Sequence, residues 1–110
     1  MEDQVVQPNL TLTTDRAAGR AVVAVRGELD AHSAQTVDEE VERLLADGVS
    51  ELVLDLSAID FLDSFGLRTL LAAEGAVSNL GAKFVLRAPS RTVQRLLDIA
   101  GLTDHFVVES

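Results

Sequence analysis

The sequence predicts an α/β domain in which a mixed sheet of about five strands packs against helices, in the order β-β-α-β-α-β-α-β. Three observations carry this. Short β-branched or alternating runs recur along the chain. Segments of helical period with an apolar stripe separate the later runs, and glycine stands at each expected helix stop. The first two strand-like runs are also close enough for a hairpin, whereas the later ones need crossover connections and hence parallel pairing.

Residues 1–8 read as a flexible N-terminal arm and residues 9–110 as one domain. Leu10 and Leu12 alternate with polar residues as in a half-exposed strand, and Asp15 to Gly19 reads as a turn. Ala21 to Val25 is a β-branched run that ends at Gly27, with Glu28-Leu29-Asp30 opening a loop. Ser33 to Asp47 has helical period, with Ala34, Val37, Val41, Leu44 and Leu45 on one face. Leu52-Val53-Leu54 marks a strand over 51–56, and 57–63 is expected to be loop. Ser64 to Asn79 is a second helix, with Leu67, Leu70, Leu71 and Val77 as its stripe. Phe84-Val85-Leu86 marks the next strand. Pro89-Ser90 signals a third helix lined by Val93, Leu96, Leu97 and Ala100, because serine caps free N–H groups. His105 to Val108 reads as a short final strand.

Composition narrows the function classes. The chain of 110 residues has no cysteine, which excludes disulfides and thiolate chemistry. Its 18 acidic and 9 basic side chains give a net charge of −9, which repels phosphate backbones and argues against nucleic-acid binding and against a polybasic membrane anchor. No apolar run is long enough to span a membrane, and the acidic start Met1-Glu2-Asp3-Gln4 is unlike a secretory signal. A cytoplasmic protein is expected.

Catalytic equipment is sparse. His32 and His105 are expected to face solvent or to pack, there is no phosphate-cradling glycine loop, and no nucleophile–base motif is present. Asp55, Asp60 and Asp63 form a carboxylate cluster that could attract a divalent cation. Turn formation and helix-start electrostatics are the favoured account of it, so no metal or cofactor is expected.

The informative stretch is Asp60-Phe61-Leu62-Asp63-Ser64-Phe65-Gly66-Leu67, where a buried strand runs out and a serine stands at the next helix start. Two readings of Ser64 are open. It is a plain N-cap, or it is a modification site whose phosphate would meet free helix N–H groups without breaking the fold. The crowding of Phe61, Leu62 and Phe65 at this loop end exceeds what a plain cap needs.

At these residues the chain resembles the STAS family, specifically the bacterial anti-sigma-factor antagonists. Val25-Arg26-Gly27-Glu28-Leu29-Asp30 is similar to the family's G-E-L-D strand exit. Leu54-Asp55-Leu56-Ser57 through Phe61-Leu62-Asp63-Ser64-Phe65-Gly66-Leu67 is similar to its D-L-S…F-D-S-x-G-L signature. Pro89-Ser90 to Gly101-Leu102 resembles its last helix. The resemblance implies an unphosphorylated form that binds an anti-sigma factor with serine kinase activity and so frees a sigma factor. It implies phosphorylation of Ser64 to end binding and a serine phosphatase to reset it. It implies a partner surface of Asp30, Phe61, Leu62, Asp63, Ser64, Phe65 and Gly66, with Phe61 and Leu62 giving apolar contact and Asp30 polar specificity. Phe65 departs from the Ser or Thr of many relatives, and Arg68 stands where a small residue is common. The alternatives are a module that binds a nucleotide or small ligand, or a scaffold in a larger regulatory complex.

Overall fold

The structure is a computed structural model and describes residues 2–110. Six strands form one sheet in sequence order: β1 (Glu2–Gln7), β2 (Leu10–Ala17), β3 (Arg20–Leu29), β4 (Glu51–Leu62), β5 (Lys83–Arg87) and β6 (Val108–Glu109). The first three are antiparallel neighbours, and β3 to β6 are parallel. Helices α1 (Ala34–Ala46), α2 (Ser64–Asn79) and α3 (Arg91–Ile99) fill the three crossovers. Right-handed crossovers that all advance in one direction put the helices on one face of the sheet.

The expected flexible arm is corrected: residues 2–7 are β1, which supplies the sixth strand, while Met1 lies outside the described residues. The sequence signal fails there for a physical reason. An edge strand gains ladder hydrogen bonds without burying a face, and Val5 and Val6 are both exposed, so no alternation marks it. The expected turn at 15–19 shrinks to Ala18-Gly19. Both have positive φ (54° and 80°), the geometry that matches a two-residue hairpin to strand twist.

The core joins the inward residues of the sheet to the apolar helix stripes. Ala21, Val23 and Val25 of β3 and Leu52, Leu54 and Leu56 of β4 meet Val37, Val41 and Leu44 of α1 and Leu70, Ala73 and Val77 of α2. Val93 and Leu97 of α3 join the same cluster with Phe84 and Leu86 of β5. Each fully buried leucine stabilises by about 1.5–3 kcal/mol relative to exposure, so these central strands hold the fold.

One carboxylate lies within this interior. Glu40 of α1 is 5% exposed and accepts the Thr14 hydroxyl of β2 at 2.5 Å. Arg43 donates to both of its oxygens, at 3.0 and 2.8 Å. Burial pushes the Glu40 carboxyl up, but the hydrogen bonds from Arg43 and Thr14 and the charges of Arg43 and Arg16 outweigh it and hold the group below its usual range.

Two strands run further than the sequence suggests. β3 continues through Gly27 to Leu29, and β4 continues through 57–62, where a loop was expected. Gly27 explains the first. Its φ is +108°, and a Cβ there would lie 2.3 Å from the Asn9 carbonyl oxygen. Beside it, the Glu28 N–H donates to that same oxygen at 2.8 Å, so the β1–β2 turn ties down the exit of β3. Register shifts next to Ala24 and Gly27 let β3 and β4 stay paired up to Leu29 opposite Leu62.

Candidate functional site

β4 pairs with β5 only over Glu51–Asp55, whereas its pairing with β3 extends to Leu62. The second half of β4 therefore projects past β5 at the carboxyl edge of the sheet. On its free side Ser90 takes over. The Ser90 N–H donates to the Leu56 oxygen at 3.2 Å, and its hydroxyl donates to the Ile59 oxygen at 2.7 Å. Ser90 is also the N-cap of α3, as expected, accepting from the Val93 N–H.

At the tip the chain turns into α2. The cap is Asp63 rather than Ser64: its Oδ1 accepts the Phe65 and Gly66 N–H groups at 2.9 and 3.0 Å. Ser64 is the first helical residue, is exposed, and its hydroxyl has no hydrogen-bond partner among the described residues. The plain-cap reading of Ser64 is thereby corrected, since a neighbour does that work.

Gly66 sets how close this turn sits. A Cβ there would lie 2.5 Å from the Leu29 carbonyl oxygen and 2.5 Å from Leu62 Cδ1. Only glycine lets the first turn of α2 rest against the ends of β3 and β4. The Asp63 N–H also points at the Leu29 oxygen, at 3.4 Å. The Asp30 loop and the Ser64 turn thus form one edge.

Asp30 is half-buried and largely structural. Its Oδ1 accepts the His32 and Ser33 N–H groups at 2.9 and 3.1 Å, an Asx turn that leads into α1. Its Oδ2 has no hydrogen-bond partner among the described residues, so one carboxylate oxygen is free to face a partner. The Ser33 hydroxyl donates to the Glu28 oxygen at 2.8 Å and accepts the Asp30 N–H at 3.0 Å.

The hydrophobic members separate. Phe61 and Phe65 are 45% and 46% exposed and flank Ser64, whereas Leu62 is 7% exposed and packs in the core. The expectation that Leu62 offers contact to a partner is corrected: alternation along β4 sends neighbouring side chains to opposite faces. Gly66 likewise is buried and acts by what it lacks. Sequence reasoning also missed a contact. The Arg68 guanidinium lies over the Phe65 ring, 5.3 Å from its centroid. The i, i+3 spacing on a helix was the available signal.

Of the other candidates, His32 lies in the Asp30 loop at this edge and Asp60 on the projecting end of β4, whereas Asp55 and His105 lie apart. Asp55 Oδ1 accepts the Ser57 N–H and hydroxyl within β4. Among the described residues, no three His, Cys, Asp or Glu side chains come together as a metal site. His105 meets Glu74 at 2.6 Å and stacks edge-on against Phe106, and His32 is exposed. A hollow of about 410 Å³ lies elsewhere, lined by Thr11, Thr13, Ala24, Arg26, Asp55 and Ser57 among others. By strand alternation those β2 and β3 residues face away from the helices. Among the described residues no helix is long and apolar enough to cross a membrane.

A mixed sheet with three crossover helices, whose exposed serine opens α2 at the carboxyl edge, defines a small α/β domain with its candidate site at that edge. Residues 11–110 match the STAS domain, and the chain belongs to that family. It is 33% identical over 98 residues to the anti-sigma-F factor antagonist RsfB of Mycobacterium tuberculosis, covering 89% of this chain and 80% of that protein. It is 31% identical over 98 residues to an anti-sigma F factor antagonist of Paenibacillus polymyxa, covering 86% and 81%. An anti-sigma factor antagonist from Mycobacterium paratuberculosis superposes with a TM-score of 0.82 at 29% identity, over 96% of this chain and 90% of that one. The unphosphorylated form of SpoIIAA shares the fold at 19% identity, with a TM-score of 0.77 over 90% and 87% of the two chains.

Proposed function

We propose that this chain is a cytoplasmic anti-sigma-factor antagonist, that it acts by binding rather than catalysis, and that Ser64 is its switch. In this reading the unphosphorylated chain binds an anti-sigma factor that is also a serine kinase, and a sigma factor is released. The kinase then transfers the γ-phosphoryl group of ATP to Ser64 Oγ. The Oγ–P bond forms, the bond to the bridging oxygen of ATP breaks, ADP leaves and the hydroxyl proton passes to the kinase. A serine phosphatase hydrolyses the phosphoserine and restores the first state.

The observation that carries the reading is the setting of Ser64: an exposed, unengaged hydroxyl on a turn whose cap is supplied by Asp63, with half-exposed phenylalanines three residues before it and one after it in the chain. The names of the relatives supply the class of partner. Phe61, Phe65 and the free oxygen of Asp30 form the proposed contact surface, with Asp63 and Gly66 holding its backbone.

The mechanism of switching follows from solvation. A phosphate adds about −1.5 to −2 charges at neutral pH. At the first turn of a helix this gains roughly 0.3–1 kcal/mol from the positive end of the dipole, and repulsion from Asp63 opposes it at similar size. The fold is therefore little affected. In an interface that must lose its water the same dianion costs several kcal/mol without a matching cation. A loss of about 4 kcal/mol weakens binding roughly a thousandfold.

The test is titration of each purified anti-sigma factor of the host bacterium with the chain, carrying serine or phosphoserine at position 64, alongside melting curves. One anti-sigma factor should bind the serine form, and the phosphoserine form should bind it roughly a thousandfold more weakly at a nearly unchanged melting temperature. Equal affinity of the two forms, or binding to none, overturns the reading. The pure chain should also release no phosphate from ATP or GTP.

A further inference from the structure

We propose that Arg68 is a phosphate latch: it covers Phe65 when Ser64 is free and moves to the phosphate when Ser64 is phosphorylated. The inference rests on Ser64 as the phosphoacceptor and adds how the two states of that site are told apart.

The geometry of α2 carries it. Helical Cα–Cβ bonds tilt toward the N-terminus, so a long side chain covers the turn before its own Cα. For Arg68 that turn contains residues 64 and 65, four and three positions earlier, which are its two near neighbours on the helix surface. The guanidinium already uses one of them, lying 5.3 Å from the Phe65 ring centroid. Arg68 is exposed and makes no ion pair among the described residues, so no carboxylate holds it there. An exposed cation over a ring is held weakly, whereas a guanidinium meeting a phosphate makes charge-assisted, bidentate hydrogen bonds. A phosphate on Ser64 therefore draws Arg68 off the ring by a change of side-chain rotamer, with no movement of the backbone.

The consequence is a switch with two parts. The phosphate places negative charge in the contact surface, and the departure of Arg68 frees the half-exposed Phe65 ring to leave the orientation a partner would meet. The latch also gives the phosphate a counter-charge against Asp63, Asp60, Asp30 and Glu28, the carboxylates at the ends of β3 and β4 and the turns that follow them.

Phosphoserine installed at position 64 during translation tests this without any kinase, so the result stands apart from whether the antagonist reading holds. The second ionisation of phosphoserine, ordinarily at about pH 6, is followed by ³¹P NMR in otherwise native protein, in Arg68→Gln and in Arg68→Lys. The nearby carboxylates are common to all three and cancel in the comparison. With the latch, the native protein titrates about half a pH unit or more below Arg68→Gln, and Arg68→Lys recovers part of the difference. In the same samples the Phe65 ring signals of the native protein should move on phosphorylation toward their positions in Arg68→Gln. Identical phosphate titration in native protein and Arg68→Gln overturns the latch, as do Phe65 signals that ignore phosphorylation.

Discussion

Thr14 and Ser64 are both hydroxyl residues next to a carboxylate, and the molecule treats them in opposite ways. Thr14 is 1% exposed and donates to buried Glu40, whose other contacts come from Arg43, so each group there has a partner. Ser64 is exposed, and the adjacent Asp63 turns its Oδ1 to backbone N–H groups instead of to the hydroxyl. A matched polar cluster costs stability when any member is removed. An unengaged hydroxyl costs nothing to lose and is free to be modified. The difference separates a residue that holds the fold from one the fold holds out, and substitutions at four positions probe it.

Gly66→Ala should show the largest effect. The new Cβ would meet the Leu29 carbonyl, which is backbone and cannot swing aside. A loss of about 3 kcal/mol is expected, in the range for overpacking a close approach. Urea denaturation measures it, and a near-native midpoint would show that the Ser64 turn is loosely seated.

Glu40→Ala comes next, at about 2 kcal/mol, because the Thr14 hydroxyl loses its acceptor in a dry site. Arg43 is half-exposed and can turn to water, which keeps the loss below that of a fully buried pair. The same group has a pH signature. Its folded-state value lies below the ordinary 4.5, so its contribution is present above that pH and fades as pH falls through the lowered value. Stability measured from pH 7 downward should fall less steeply in Glu40→Gln than in the native chain. Parallel curves would show that Glu40 is not the acid-sensitive group.

The contrast also explains what was legible in the sequence. The second helix, the Lys83–Arg87 strand and the Ser90 cap follow from local pattern, and the structure places them at those residues. Glu40 could have been found: it lies three residues after Val37 and four before Leu44, on the apolar stripe, with Arg43 one turn on. β1 and the outer half of β4 were not legible, because they are defined by ladder pairing with distant residues and bury little of their surface. At the site, Ser64, Phe61 and Phe65 stood out as residues. That Leu62 turns inward depends on β4 remaining a strand to its end, which the expected loop over 57–63 concealed. The cap falls to Asp63 because Ser64 is already the first helical residue, which puts the carboxylate before it in the cap position.

The smallest effects distinguish neighbours. Asp63→Ala removes an acceptor for two N–H groups at the start of α2 and should cost about 1 kcal/mol, the usual worth of an N-cap. Ser64→Ala removes a hydroxyl with no protein partner, and alanine at a first helical position is at least as favourable as serine. Its effect should stay within about 0.5 kcal/mol of zero, in the range of ordinary surface changes. The pair is informative because both side chains are polar, adjacent and at a helix start, so sequence alone would rank them alike. Denaturation curves for the two variants in one buffer decide it. If Ser64→Ala costs as much as Asp63→Ala, the hydroxyl shares the capping work and modification at Ser64 must carry a stability cost. If it costs nothing, Ser64 is a site set apart from the fold that supports it.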